Sequence, residues 1–370
     1  METFVTSLYP CRRQGFQNLL DKLSLLSGIT WMEWIYGTSE LPFQKSFVGC
    51  LPFINAPPSD YDTILTALLS ASEKCESLHQ HTCFVTFDQP LYFKAREIIS
   101  SYDEDSKLSN TVVRLGGFHL LMSFMGSIGY IMNGSGLKEL LNTINAFNSI
   151  EKITAGHAYS RAVRAHMLTH LSIAKIVLQS IDFTPDLSAE LERILYYFDR
   201  SVVLETNQEE YYKELAEKFE NQLVIFEQRG ATAKLWVQYF RMVTLVKQFF
   251  EAERMGNWNL HLDTVQKMPY FHASDHFLYA KSCYLYLQHM FDLKERMTDE
   301  EHELFTTKGY FTIRRSDKFC CGTWSDMTIE QSLMRTMKCL GGLTHGRGVK
   351  ESVLSKDFRN GIPAQYLQRN

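Results

Sequence analysis

Three acidic residues occupy positions where they could hold a divalent cation. Asp88 directly follows CFVTF (83–87), a short apolar run typical of a strand buried on both faces. Asp326 and Glu330 lie four residues apart in WSDMTIEQSLMR, which predicts a late helix with both acids on one face. Carboxylates from a strand end and from a facing helix suit a two-metal phosphodiester site, so the three acids are candidate ligands of Mg²⁺ or Mn²⁺.

Two of these acids also have a structural interpretation. Asp88 could cap the helix expected to begin at Pro90, because an Asp side chain accepts hydrogen bonds from the first backbone N–H groups of a helix. Asp326 could be an ordinary acid of a first helical turn, where the helix dipole favours negative charge. The residue types alone leave both interpretations open.

The elements that would position these residues alternate along the first part of the chain. CFVTF and TVVRL (111–115) predict two buried strands, and a helix is predicted after each, the second following the turn at Gly116–Gly117. This order is typical of an α/β unit with parallel strands. KSFVGCLPFIN (45–55) predicts a further strand, and residues 137–305 carry helical periodicity with almost no strand signal. The predicted fold class is therefore α+β and predominantly helical.

Several longer segments resemble a group of proteins spread by mobile elements in animal genomes. They are FDQPLYFKA (87–95), VVRLGGFHLLMSFMGSIG (112–129), GHAYSRAVRAHMLTHL (156–171), GNWNLHLDTVQKMPYF (256–271) and TTKGYFTIRRSDKF…WSDMTIEQSLMRTMK (306–338). Through this group the chain resembles DDE-type transposases, which have a ribonuclease-H fold. The resemblance implies a partial ribonuclease-H-like core in residues 1–136, a large helical insertion in 137–305, and a core helix with a basic tail in 306–370.

The resemblance also implies roles for individual residues. Asp88 and Glu330 would be the second and third metal-binding acids of such a site, and His119 of the GFH motif would contact the scissile phosphate or a metal. An alternative for His119 is a neutral core histidine bonded to backbone. The first acid is expected on an upstream strand, and KSFVGCLPFIN contains no acid. The chain is therefore expected to be catalytically incomplete by itself.

A basic patch near the C-terminus suggests a nucleic-acid contact. Residues 308–356 contain nine basic and four acidic residues, in a chain of net charge -4. The candidate phosphate contacts are Arg314, Arg315, Lys318, Arg335, Lys338 and Arg347. An ordinary solvated surface is the alternative. The partner hypotheses are DNA and self-association, with no membrane.

Other features narrow the remaining functional classes. The N-terminal residues do not read as a signal peptide, which leads us to expect an intracellular protein of the nucleus or cytoplasm with reduced cysteines. The pairs His166/His170 and His272/His276 have a metal-compatible spacing, but their apolar neighbours favour helix packing. The competing functional hypothesis is a helical protein-interaction scaffold in which the acids are structural.

Overall fold

The computed structural model describes residues 45–48, 54, 56–103, 106–182, 209–316 and 321–334, and these are mostly helical. The strands are β1 (Cys83–Phe87), β2 (Thr111–Leu115), β3 (Ile313–Arg314) and β4 (Gly322–Thr323). The helices are α1 (Tyr61–Ser77), α2 (Gln89–Ser100), α3 (Gly117–Ile131), α4 (Leu137–Asn142), α5 (Phe147–Thr154), α6 (Tyr159–Gln179), α7 (Glu209–Glu227), α8 (Ala231–Met255), α9 (Trp258–Lys267), α10 (Pro269–His272), α11 (Phe277–Phe291), α12 (Asp299–Thr306) and α13 (Ser325–Thr328). A 3-10 turn at Asp292–Arg296 follows α11, and the backbone continues from α13 as a π-helix at Ile329–Met334.

The chain divides into two compact units. Among the described residues, the helical unit contains 122–182, 209–251 and 270–276, and the mixed unit contains 45–48, 54, 56–103, 106–121, 252–269, 277–316 and 321–334. The domains predicted from the sequence were 1–136, 137–305 and 306–370. The two units have different boundaries, because residues 252–269 and 277–305 pack with the strands. All four strands of the described residues belong to the mixed unit.

The predicted parallel strand pair is present in the mixed unit. β1 and β2 pair in parallel, with Cys83 opposite Thr111 and Phe87 opposite Leu115. α2 connects them, as a parallel pair requires a crossover. Every residue of β2 is buried, which explains why its sequence is a continuous apolar run interrupted by one arginine.

The strand predicted at 45–55 is wrong for Lys45–Val48, where the backbone is irregular. Ser46 donates its N–H to the carbonyl of Arg314 at 2.9 Å, and its hydroxyl accepts from the Arg314 N–H at 2.9 Å. Over Lys45–Val48 this contact is with the two-residue β3, and Phe47 is 96% exposed. The rest of the predicted strand, apart from Ile54, lies outside the described residues.

The helical unit is built on an apolar core, in agreement with the helical prediction for this part of the chain. One apolar cluster joins α6, α7 and α8 through side chains that include Phe219, Leu223 and Phe240. Apolar side chains of this kind repeat on one face of each helix, which explains the helical spacing of apolar residues in the sequence. None of the helices in the described part of the chain is sufficiently long and apolar to cross a membrane.

The histidine pair of α6 packs inside this unit, as its apolar neighbours predicted. His166 is buried and its Nδ1 lies 2.9 Å from the hydroxyl of Tyr239. His170 stacks on Phe240 at 4.0 Å and its Nε2 lies 3.0 Å from the hydroxyl of Thr244. Burial lowers the pKa of His166 to about 4, so this side chain is neutral at pH 7.

Candidate functional site

The candidate site lies at the carboxyl ends of β1 and β2 in the mixed unit. Asp88 follows the last residue of β1 and is the N-cap of α2, where its Oδ1 accepts a long hydrogen bond of 3.4 Å from the Leu91 N–H. Pro90 occupies the first turn of this helix, where its missing N–H costs nothing. The capping interpretation of Asp88 is therefore confirmed, and this single bond within the described part of the chain leaves lone pairs on its carboxylate for other partners.

Asp326 caps a second helix from a distant part of the sequence. Its Oδ1 accepts the Phe118 N–H at 3.2 Å, and its Oδ2 accepts the His119 N–H at 3.1 Å and lies 3.0 Å from His119 Nδ1. The two N–H groups belong to the first turn of α3, which has no intrahelical partners for them. Asp326 is an acid of the first turn of its own helix, as predicted, and it also satisfies the start of α3.

Gly116 and Gly117 allow this approach because a side chain at either position would collide with α13 and the residue before it. A Cβ atom on Gly116 would lie 2.5 Å from Asp326 Oδ2, and one on Gly117 would lie 2.2 Å from Trp324 Cδ1. The sequence suggested only a tight turn at this pair. The structure assigns the two glycines to close packing against residues 324–326.

His119 contacts Asp326, and the charges of Asp88 and Glu330 also act on it. Its side chain is 31% exposed and its hydrogen bond with Asp326 raises its pKa, against the opposing effect of burial. The charges of Asp326, Asp88 and Glu330 raise the pKa of His119 further. Protonation of the imidazole is thereby favoured, and the protonated ring would form an ion pair with Asp326 at 3.0 Å. The ring nitrogen contacts a carboxylate, whereas the alternative interpretation expected a contact with backbone.

Tyr279 of α11 belongs to the same environment. Burial, together with the charges of Asp88 and Asp326, raises the pKa of its hydroxyl to about 12. No pattern in the sequence singles out this residue, because a tyrosine in an apolar helix is ordinary. The hydroxyl stays protonated at neutral pH, so it can donate a hydrogen bond to an anionic group at the site.

The donor atoms at the site fit a metal only in part. Carboxylate oxygens are the ligands that Mg²⁺ and Mn²⁺ prefer. Both oxygens of Asp326 already accept hydrogen bonds from α3, which leaves Asp88 and Glu330 as the carboxylates with room for a cation. Within the described residues no group of three or more histidine, cysteine or acidic side chains is arranged to hold one. A cation at this point would therefore keep most of its ligands as water.

The predicted nucleic-acid contacts are only partly described. Arg314 is 7% exposed, its guanidinium donates to the carbonyl of Lys308, and it lies 5.8 Å from the centre of the Tyr310 ring. These contacts give Arg314 a structural role within the mixed unit. Arg315 is exposed. Lys318, Arg335, Lys338 and Arg347 lie outside the described residues, so their role stays a prediction.

A buried polar network in the mixed unit was not predicted from the sequence. Arg114 of β2 donates to the carbonyl of Phe311 at 2.8 Å, and the carboxylate of Glu253 lies 3.7 Å from His261 Nδ1. His261 Nε2 lies 3.1 Å from the hydroxyl of Tyr286. The arginine within the apolar run TVVRL was the available signal, because a buried arginine requires partners.

Burial controls the charges of this network. It raises the pKa of Glu253 to about 8, with Asp326 adding to the effect and Arg114 opposing it. Burial and, to a smaller extent, the charge of Arg114 lower the pKa of His261 to about 3. Glu253 and His261 are therefore both mainly neutral at pH 7, and their contact is not an ion pair at that pH.

Comparison with known proteins identifies a family. No curated protein and no solved structure matches the chain. A family model described as a domain of unknown function, DUF8702, matches residues 30–364, which include every described element and the whole candidate site. The chain therefore belongs to the DUF8702 family.

Proposed function

We propose that the chain is a ribonuclease-H-like module related to DDE-type transposases, with weak divalent-cation and DNA binding and no DNA cleavage by itself. The observation that carries the proposal is that Asp326, four residues before Glu330, contacts His119 just after β2, beside the strand that Asp88 follows. One acid follows a parallel strand and the other lies in the last described helical segment, as the resemblance requires. The parallel order of β1, α2 and β2 supports the same ancestry.

The hydrogen bonds that Asp326 accepts from α3 support the proposal that the site is catalytically incomplete. Two-metal phosphodiester chemistry needs carboxylates that bridge or flank both cations. Asp326 is committed to the first turn of α3, and the sequence places no acid in KSFVGCLPFIN. Asp88 and Glu330 then bind a single cation weakly, with a Kd on the order of 1 mM, equivalent to about 4 kcal/mol.

Titration with Mn²⁺ tests the cation site. Free Mn²⁺ is measured by electron paramagnetic resonance with the wild-type chain and with the double variant D88N/E330Q. The matched control is D62N/E73Q, which neutralises two exposed acids of α1 and so makes the same change in net charge. We expect the site variant to lose binding and the control to retain it. Equal binding by the two variants would refute a specific site.

A nuclease assay tests the incomplete character separately. Supercoiled plasmid is incubated with the wild-type chain and Mg²⁺ or Mn²⁺, and nicked product is quantified. We expect no cleavage above that of D88N/E330Q. If the wild-type chain cleaves DNA and D88N/E330Q does not, the site is catalytically complete. The ribonuclease-H-like assignment would then stand, and the claim that the chain does not cleave DNA by itself would be refuted.

DNA binding is tested by its dependence on salt. Fluorescence anisotropy of a labelled duplex should show affinity that falls steeply as salt increases, because phosphate contacts release counterions. R315A should reduce both the affinity and the slope, whereas K107A, which removes an exposed lysine paired with Glu73, should leave them unchanged. Binding that is insensitive to salt would argue against phosphate contacts.

A scaffold is the second candidate function, and the capping role of Asp326 favours it. On this proposal the acids stabilise the fold and the helical unit provides the functional surface. Mn²⁺ titration separates the candidates, since a scaffold predicts no difference between D88N/E330Q and D62N/E73Q. The same variants in a urea titration would then report only changes in stability.

A further inference from the structure

The outer face of α6, in the helical unit, carries basic charge that no acid of the same segment neutralises. Residues 152–181 include the whole of this helix and contain no aspartate or glutamate, whereas the chain has 42 acidic residues in 370. The basic residues of the segment are Lys152, Arg161, Arg164 and Lys175. A surface of one sign of charge attracts ligands of the opposite sign.

The geometry of α6 places its basic residues together on the side that faces solvent. Arg164 and Lys175 follow Arg161 by three and fourteen residues, which at 3.6 residues per turn brings the three within about 60° of one another around the helix axis. Arg161 and Arg164 are exposed. The opposite side of the helix is buried against the core of the unit, where it contributes His166 and His170.

The turn between α5 and α6 adds a third exposed cation at the start of this face. Ala158 donates its N–H to the carbonyl of Lys152 at 2.9 Å, which holds the end of α5 beside the first turn of α6. Gly156, with a φ of 76°, closes the turn, and a Cβ atom there would lie 2.1 Å from the carbonyl oxygen of Met122. The exposed side chain of Lys152 therefore starts from a backbone that is packed against α3.

The charges of the two arginines are available to a ligand. Within the described part of the chain, no ion pair involves Arg161 or Arg164. The acid that precedes the segment, Glu151, is paired with Lys138 at 2.9 Å, so its charge is compensated. A guanidinium group donates parallel hydrogen bonds to phosphate oxygens, which makes arginine the side chain best suited to a phosphate ligand.

We propose that the outer face of α6 binds the phosphate backbone of double-stranded DNA through Lys152, Arg161 and Arg164, without reading the base sequence. This binding rests on the DNA-binding part of the proposed function. It adds a second contact surface, in the helical unit, to the basic residues of 308–356. Contacts to phosphate position a protein on a duplex and carry no sequence information, so the face needs no groups that reach the bases.

Fluorescence anisotropy of a labelled duplex of mixed sequence, measured over a range of salt concentrations, tests the proposal. The variant is R161Q/R164Q. The matched control is R229Q/K234Q, which changes two exposed residues near the turn between α7 and α8 and alters the net charge equally. Since each phosphate contact contributes about 0.9 to the slope of log K against log salt, we expect R161Q/R164Q to reduce the slope by about 2. Its affinity should fall on the order of 50-fold at about 0.1 M salt, and the control should bind as the wild type does. R161K/R164K, which keeps both charges, should retain most of the slope.

The outcomes separate this surface from the proposed function. If R315A weakens DNA binding and R161Q/R164Q does not, the proposed function stands and the α6 surface is refuted. If R161Q/R164Q and R229Q/K234Q lose affinity equally, only net charge matters, which also refutes it. A wild-type chain without salt-dependent DNA binding would overturn both proposals. Loss of binding to phosphatidylserine vesicles, with DNA binding unchanged, would assign the face to a membrane instead. Far-ultraviolet circular dichroism checks that the variants fold, and the single variants R161Q and R164Q, each expected to reduce the slope by about 1, replace a double variant that does not.

Discussion

Replacement of Asp326 by asparagine tests the role assigned to it at the start of α3. The carboxylate accepts two backbone N–H groups and lies 3.0 Å from the ring Nδ1 of His119, and its side chain is only 9% exposed. An amide of the same shape retains one acceptor atom and turns an NH₂ group towards the remaining donors. Since a hydrogen bond to a charged group is worth about 1.5 to 3 kcal/mol, we expect D326N to lower the free energy of unfolding by about 3 kcal/mol.

Urea titration followed by far-ultraviolet circular dichroism measures this loss. H119Q removes only the ring contact, so it should cost about 1 kcal/mol, and D326N should cost less in the H119Q background than in the wild type. D62N, at an exposed position of α1, is the control and should change stability by less than about 0.5 kcal/mol. If D326N behaves like D62N, the carboxylate does not occupy the start of α3 in solution, and the capping role is refuted.

Three further predictions follow from the same region. G117A should lower the free energy of unfolding by about 2 kcal/mol in a urea titration, because its methyl group would lie 2.2 Å from Trp324 Cδ1. Adding W324L to G117A should recover part of this loss. Losses of stability that simply add would contradict the contact. The stabilisation that His119 provides should be complete below its unfolded-state pKa of about 6.5 and be lost as pH rises through its raised folded-state pKa. The stability difference between the wild type and H119Q should therefore be larger at about pH 6 than at about pH 9, and an equal difference would exclude the ion pair. Burial raises the pKa of Glu253 from 4.5 to about 8, so the folded chain keeps a proton that the unfolded chain releases, and stability falls as pH rises between these values. E253Q should remove that component of the pH dependence of thermal melting, and an unchanged slope would mean that Glu253 is already ionised.

The local elements of the fold could be predicted from the sequence because each carries its own signal. CFVTF and TVVRL are short apolar runs bounded by turn residues, and the helical region repeats apolar residues at helical spacing. KSFVGCLPFIN carries a similar apolar signal, yet Lys45–Val48 form no strand. Strand formation depends on a partner of sufficient length, and the contact here is with the two-residue β3.

The candidate site could be predicted only as a set of residue types. Asp88 and its capping role follow from local sequence, since Pro90 lies two residues later. The contact of Asp326 with α3 joins residues 207 positions apart, and no local pattern specifies it. The ionisation of His119 depends on that contact, so the sequence could not decide between a charged and a neutral imidazole.

The contact between Asp326 and α3 also has a consequence for synthesis of the chain on the ribosome. Residues 83–115 emerge early and contain the whole β1–α2–β2 unit, but the acceptor for the first turn of α3 is synthesised 207 residues later. At a rate of about 5 to 20 residues per second, that interval lasts on the order of 10 to 40 seconds. During this time the N–H groups of Phe118 and His119 have no partner from the C-terminal segment. We therefore expect the first turn of α3 to be less protected from amide hydrogen exchange in nascent chains that stop before Asp326 than in chains that contain it.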